Sequence, residues 1–247
     1  MKRTLAAVVV LFVACLATSA AHSGAQTPAL PTVDQVLEKY VTALGGRAAL
    51  EKVTSVRTQG TVEIPDFQIT GTIEIVQKAP DRMLQTVNLS GIGLQREGFD
   101  GTVGWSEEPQ AGLRQKAGAE LADAKRGALF PRELKLKQQY PTMAVTGRER
   151  IGERDTIVIL GTPAEGTPAK LYFDAASGLL VRQSGSRNGP EGAIPIEVTL
   201  DDYRDVSGVK RPHLIRQSNP QFAVTVKVTS VKHNDPVDDA IFKKPGL

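Results

Sequence analysis

The chain of 247 residues is 40% hydrophobic and 23% charged, a composition typical of folded globular proteins and not of disordered chains. It contains 30 basic and 27 acidic residues, and cleavage of a leader containing Lys2 and Arg3 would leave 28 against 27. Aromatic residues make up only 5% of the chain, and the basic residues alternate with acids. These features exclude a nucleic-acid partner, which usually requires a clustered basic face with stacking aromatics.

The first 25 residues have the three parts of a secretory signal peptide. Two basic residues precede an apolar run over residues 5–16, and small residues follow up to Ala25. The apolar run is too short for an ordinary membrane-spanning helix. We therefore predict a signal peptide over residues 1–25, export to the periplasm, and one domain over residues 26–247.

Cys15 leaves a second possibility open for this segment. The stretch FVAC is a loose match to a lipobox, in which the cysteine would be acylated and would anchor an outer-membrane lipoprotein. Otherwise the chain's one cysteine leaves with the signal peptide, and the mature protein has no disulfide.

The stretch TVDQVLEKYVTALGG predicts a helix with one broad apolar face. Thr32 and Gln35 have the spacing of a capping box, and Gly45 and Gly46 form a C-terminal stop. The apolar positions recur at helical spacing and are Val33, Val36, Leu37, Tyr40, Val41 and Leu44.

From Val53 onward the hydrophobic period changes to two, which predicts antiparallel strands with one apolar and one polar face. Gly60 and Gly71 lie on the apolar face, where glycine often marks a bend or the close approach of another backbone. Asp100-Gly101 is a strong hairpin signal. We count about twelve strands, a polar helical segment over residues 117–139 that breaks at Pro131, and a mobile surface loop over residues 184–195.

These patterns predict a mainly β (α+β) fold. The expected architecture is a single curved antiparallel sheet forming an unclosed half-barrel of about 11–12 strands, with the N-terminal helix and a helical lid covering the concave face. Such a sheet leaves more room than its own side chains fill, and an unfilled apolar hollow loses dispersion contacts. We expect the helix or a fatty ligand to occupy that space.

Several motifs, in this order, resemble the periplasmic outer-membrane lipoprotein-sorting proteins, which are carriers of the LolA/LolB type. They are the LPTVDQVLEKYVTALGG helix, YFDAASGLLVRQ, DYRDVSGVKRPH and a C-terminal F-K-K-P pattern. The resemblance spans about residues 32–245, and the ALGG end of the helix is more similar to uncharacterised relatives than to the carriers. It implies an unclosed barrel with a helical lid that binds lipid or lipoprotein acyl chains.

We therefore expect a non-catalytic, monomeric binder of acyl chains with no cofactor. The alternative is an envelope protein-interaction or stress-sensor module of the same fold, whose cavity is filled by its own helix. The predicted cavity lining consists of Val36, Tyr40, Val56, Val62, Ile64, Phe67, Ile69, Ile73, Ile75, Val87 and Trp105.

Motifs for catalysis or metal binding are weak. His213 and His233 lie outside any HExxH or CxxC context, so we predict no metal site. The acids at 201, 202 and 205 are more typical of a strand end and turn than of a calcium or acid–base site. A hydrolase that uses Asp202 or His213 is the third and least favoured reading.

Overall fold

The computed structural model describes residues 29–189 and 192–246. The predicted signal peptide and Cys15 lie outside the described residues. No helix within these two ranges combines the length and the apolar character needed to cross a membrane.

One antiparallel sheet contains 13 strands of the described chain. The strands are β1 Ser55–Ile64, β2 Ile69–Lys78, β3 Arg82–Leu89, β4 Gly93–Phe99, β5 Gly104–Glu108, β6 Gly112–Gln115, β7 Thr142–Ile151, β8 Arg154–Thr162, β9 Ala169–Asp174, β10 Leu180–Gly189, β11 Gly192–Val206, β12 Val209–Ser218 and β13 Ala223–His233. The helices are α1 Val33–Ala43, α2 Arg47–Glu51, α3 Gly118–Ala128 and α4 Leu136–Gln139, with 3-10 turns at Pro65–Phe67, Arg132–Lys135 and Asp239–Phe242.

The strand order confirms the unclosed half-barrel. Strands β1 to β6 form one meander, β7 to β13 form a second, and the pairing of β1 with β13 joins them. The edge strands β6 and β7 do not pair with each other, so the sheet stays open. The thirteenth strand, absent from the sequence prediction, is β6, whose four residues are too few to show a period of two.

Gly60 and Gly71 lie where neighbouring backbones come close together, as predicted. A β-carbon on Gly71 would lie 2.2 Å from the carbonyl oxygen of Asn88, and one on Gly60 would lie 2.5 Å from that of Lys227. The pairing of β1 with β13 also shifts register between Gln59 and Gly60. Since β-bulges bend a strand and increase its twist, this region contributes to the curvature of the sheet.

Helix α1 fills one end of the concave face. The capping box is formed, because the Gln35 amide donates to Thr32 Oγ1 at 3.2 Å and the Thr32 amide donates to Gln35 Oε1 at 2.8 Å. The apolar face of α1 packs into a buried cluster with Leu50, Ile159 and Leu171, and the rings of Tyr40 and Phe173 meet edge to face at 5.3 Å. We call this end of the sheet the core end. It is filled by the side chains of α1 and of the strands that α1 packs against.

The predicted mobile loop at residues 184–195 is wrong, because β10 and β11 extend as a paired hairpin to Gly189 and from Gly192. A side chain from outside the sheet stabilises the end of β10. Asp123 of α3 accepts hydrogen bonds from the backbone and side-chain nitrogens of Asn188 at 2.8 and 2.9 Å. The polar, glycine-rich composition of residues 184–195 predicts a loop, because the sequence does not reveal that Asp123 contacts this segment.

Gly71→Ala tests whether curvature depends on the close backbone contact. The added methyl group would overlap the Asn88 carbonyl, so we expect the free energy of unfolding to fall by about 1–3 kcal/mol in chemical denaturation. The control is Gly127→Ala in α3, where no heavy atom lies within 4 Å of the added carbon and stability should hold or rise. Equal stability of Gly71→Ala and the wild type would contradict this account.

Candidate functional site

The concave face changes character beyond the core end. Toward the opposite end, which carries the β1–β2, β3–β4 and β12–β13 turns and which we call the hairpin end, β1, β2, β3 and β13 present a second apolar cluster. Its members come from strands and turns and none from a helix: Val62, Ile64, Leu89, Ile69, Ile73, Val87, Phe222, Val224 and Val226. We call these residues the apolar strip. It brings together five residues of the predicted lining.

Exposed large hydrophobic side chains surround the hairpin end. Phe67 is 57% exposed in the turn between β1 and β2, and its ring lies 5.9 Å from the ring of Phe222 in the strip. The others lie at neighbouring hairpin connections and are Ile92, Leu94, Leu113 and Ile194. We call these five residues the rim. Phe67 therefore borders the mouth of the concave face and does not line its interior.

Between the apolar strip and the core end lies a cavity of about 330 Å³ beneath α3, which we call the polar chamber. Ile75 of the predicted lining borders it. Much of the remaining wall is polar, including Gln77 of β2, Gln85 of β3 and Gln183 of β10. The expectation of a purely aliphatic hollow was wrong here, because the inward-facing side chains of these strands change from aliphatic to amide along their length.

A buried ion-pair group lies in the chamber wall. Lys116 is only 6% exposed, and its Nζ lies 2.5 Å from Glu97 Oε1, while Arg187 donates to the other oxygen of the same carboxylate. Burial alone would raise the pKa of Glu97, but Arg187 and Lys116 lower it below its ordinary value. Glu97 is therefore ionised at neutral pH and joins β4 to the chain beyond β6 and to β10.

Helix α3 closes the chamber as a lid, as predicted for the segment at residues 117–139. Arg114 of β6 forms two parallel hydrogen bonds of 2.7 and 2.8 Å with Glu120 at the start of α3. On the other side of the chamber, Asp123 contacts Arg126 and Asn188. The lid thus spans from β6 to β10 by paired charges and hydrogen bonds.

The second half of the lid segment is attached to the sheet at the core end. Glu133 accepts a hydrogen bond from Arg211 of β12 at 2.5 Å, and Arg211 Nε donates to His233 Nε2 of β13 at 3.2 Å. Burial and the neighbouring Arg211 lower the pKa of His233, with smaller opposing effects from acids. The side chain of His233 is therefore held by a hydrogen bond from Arg211.

Three residues of the predicted lining, Val36, Tyr40 and Val56, are buried in the core cluster at the core end. Burial raises the pKa of the Tyr40 hydroxyl well above its usual range. Their placement in the lining was wrong because α1 already occupies the space beside them.

The prediction that Trp105 lines the cavity was also wrong. Strand register aligns it with Gly98, Leu84 and Val76, on the opposite face from Val56 and the strip. Its ring is 1% exposed, and its Nε1 donates to the carbonyl oxygen of Phe242 at 2.8 Å. Trp105 therefore anchors the C-terminal segment on the convex face, an arrangement that alternation within the short β5 strand does not reveal.

The acidic cluster at 201–205 does not converge on one point. Its carboxylates contact Arg154, Arg204 and the backbone N–H of Gly208, respectively. His213 Nδ1 lies 2.9 Å from the carbonyl oxygen of Arg211 in its own strand. These contacts fit the interpretation of a strand end and turn.

Glu97→Gln tests the ion-pair group by its pH dependence. The pKa of Glu97 is lower in the folded protein than in the unfolded chain. Ionised Glu97 therefore stabilises the fold at pH values above its unfolded pKa. This stability is lost as the pH falls through the pKa of the folded protein. We therefore expect the variant to be less stable than the wild type at about pH 7 and the difference to shrink at about pH 3, in chemical denaturation. The control Glu153→Gln removes an exposed turn carboxylate and should change little at either pH. A difference that is the same at both pH values would refute the assignment.

Comparisons with known proteins identify the fold. No protein-family model and no curated protein matches the sequence. Among solved structures, a LolA superfamily protein from Nitrosomonas europaea matches with a TM-score of 0.59 and 15% identity over 88% of this chain and 100% of the other. An outer membrane lipoprotein-sorting protein domain from Vibrio parahaemolyticus matches with a TM-score of 0.54 and 11% identity, over 85% and 95% of the two chains.

A DUF1329 family protein from Desulfovibrio piger matches with a TM-score of 0.58 and 9% identity, over 85% of this chain and 97% of the other. At these identities the likeness concerns the fold alone. It agrees with the open 13-stranded sheet and with the resemblance drawn from the sequence motifs. This chain has the open half-barrel fold that is seen in the solved structures of a LolA superfamily protein and of an outer membrane lipoprotein-sorting domain.

Proposed function

We propose that the protein is a non-catalytic periplasmic binder or carrier of lipid or lipoprotein acyl chains, which lie on the apolar strip. The observation that carries the proposal is that no helix within residues 29–189 and 192–246 contributes to the strip, whereas α1 fills the core end of the same concave face. Val62, Ile64 and Leu89 are buried by their neighbours, and the partly exposed members of the strip, such as Ile73 and Val87, favour an apolar ligand.

The dimensions of the strip suit an acyl chain. It crosses four adjacent strands, which at the usual spacing is about 14 Å, and it extends about 13 Å along β2 from Ile69 to Ile73. Each methylene group buried there adds about 0.8 kcal/mol to binding. A chain can therefore bind tightly on aliphatic side chains without a recognisable sequence motif.

The rim gives the ligand an apolar path to the strip. Phe67 packs beside Phe222, so the exposed hydrophobic surface at the turn continues into the concave face. Ile194 adds exposed apolar surface at the β10–β11 hairpin. A chain leaving a membrane or another lipoprotein would meet apolar atoms throughout its transfer.

The fold neighbours agree with this function without identifying the ligand. One of them is described as an outer membrane lipoprotein-sorting domain. Export to the periplasm rests on the leader sequence at residues 1–25.

A second candidate function is an envelope protein-interaction or sensor module. It is favoured by α1, which permanently fills the core end, and by the exposed rim, which a protein could also cover. The two candidates differ at the strip, because an interaction module does not require lipid on the concave face.

Ile73→Asn tests the lipid proposal. The amide would lie on the concave strip, and burying it against a hydrocarbon chain without a partner should weaken binding of a fluorescent fatty acid by about tenfold or more. The matched control is Thr72→Asn, on the adjacent residue, which is exposed and faces the convex side. Native mass spectrometry of protein purified from the periplasm should show a co-purifying lipid.

Two results would overturn the proposal. One is wild-type protein that repeatedly lacks bound lipid and takes up no fatty acid. The other is equal weakening by Ile73→Asn and Thr72→Asn, which would place the chain away from the concave face.

A further inference from the structure

We propose that the polar chamber binds the anionic head group of an amphiphile, a phosphate or carboxylate, whose acyl chains lie on the apolar strip. This inference rests on the proposed function and specifies its ligand. It assigns separate parts of the concave face to the two parts of one molecule.

The chamber and the strip adjoin along the same strand. On β2, Ile73 belongs to the strip, while Ile75 and Gln77 border the chamber on the same face. Alternate residues of a strand lie about 6–7 Å apart, so a head group in the chamber is within direct reach of chains on the strip. Ile196 of β11 borders the chamber from the other side, two residues from Ile194 of the rim.

The charged groups in and around the chamber have a basic excess. Its three carboxylates are paired, and one of them, Glu97, has two cationic partners. The three acids Glu97, Glu120 and Asp123 thus share the lining with four bases, which are Lys116, Arg126, Arg132 and Arg187. A concave site with excess positive charge attracts anions.

Arg132 is the base best placed to bind a ligand. Its side-chain nitrogens contact the neutral amide oxygens of Gln139 at 3.2 Å and Gln183 at 3.4 Å. Within residues 29–189 and 192–246, no carboxylate lies within 4 Å of its guanidinium. Since a guanidinium is always charged and its fork of N–H groups matches phosphate and carboxylate oxygens, an anionic head group would complete its coordination.

Two amides add to the polar wall. Gln77 and Gln85 are half-buried and border the chamber, and neither side chain hydrogen-bonds to another described residue. An amide can donate to a phosphate oxygen or accept from a hydroxyl group. This combination suits an anionic head group that also carries hydroxyls, such as glycerophosphate.

The size of the chamber limits what it takes. A volume of about 330 Å³ is at the lower end of the range for small-molecule sites, roughly 300–1,000 Å³. It accommodates a compact head group and not a second lipid. Bare hydrocarbon would leave the amides of Gln77 and Gln85 without partners, which is unfavourable for half-buried polar groups.

The test compares two lipids with identical acyl chains, phosphatidylglycerol and diacylglycerol, in binding to the full mature protein by native mass spectrometry and fluorescent-lipid displacement. We expect the wild type to bind phosphatidylglycerol at least about tenfold more tightly, as expected for a charge-assisted hydrogen bond. Arg132→Gln should remove that preference and leave the affinity for diacylglycerol within about twofold. The control Arg47→Gln removes an exposed charge from α2 and should keep the preference.

Each outcome separates this inference from the proposed function. Binding of both lipids with equal affinity, or a preference that survives Arg132→Gln in a protein of unchanged thermal stability, overturns the head-group assignment and leaves the acyl-chain proposal standing. Binding of neither lipid overturns the proposed function itself. Glycerol 3-phosphate that binds as tightly as phosphatidylglycerol, with the same sensitivity to Arg132→Gln, overturns the head-group assignment in favour of a soluble anion.

Discussion

The packing of α1 against the concave face is the constraint on which the rest of the structure depends. A sheet curved by the close backbone contacts at Gly60 and Gly71 presents more inward apolar surface than its own side chains can cover. The apolar face of α1 covers the core end, where Tyr40 meets Phe173. The helix spans only 11 residues, about 16 Å, and α1 is not part of the apolar strip at the hairpin end.

The concave face therefore has three successive environments. The core end is filled by α1, the middle is a polar chamber beneath α3, and the hairpin end is an aliphatic cluster formed by strands and turns. The lid is attached by two polar contacts, Glu120 to Arg114 and Asp123 to Asn188, and by the packing of α3 against Phe99. These contacts hold α3 over the polar chamber. The apolar strip therefore stays accessible from the rim. This order along the sheet fits an amphiphile better than a simple hydrocarbon.

Local patterns predicted the fold well. The capping box at Thr32, the period of two after Val53 and the inward glycines each depend on residues near one another in sequence. The candidate site was predicted only in part, because it depends on contacts between distant residues. Asp123 holds the strand tip at Asn188, 65 residues away, and Phe242 covers Trp105 from the far end of the chain.

Alternation also cannot tell which face of a strand is covered by another segment. At the end of β2, Val76 is fully buried on the convex face, whereas Gln77 faces the concave chamber, so these two positions break the alternation that Ile69, Ile73 and Ile75 follow. The crystal structure of the protein bound to phosphatidylglycerol measures the arrangement most directly. The account predicts acyl chains along Ile73 and Val87 with α1 in place. Chains buried at the core end with α1 displaced, or lipid bound away from the concave face, would contradict it.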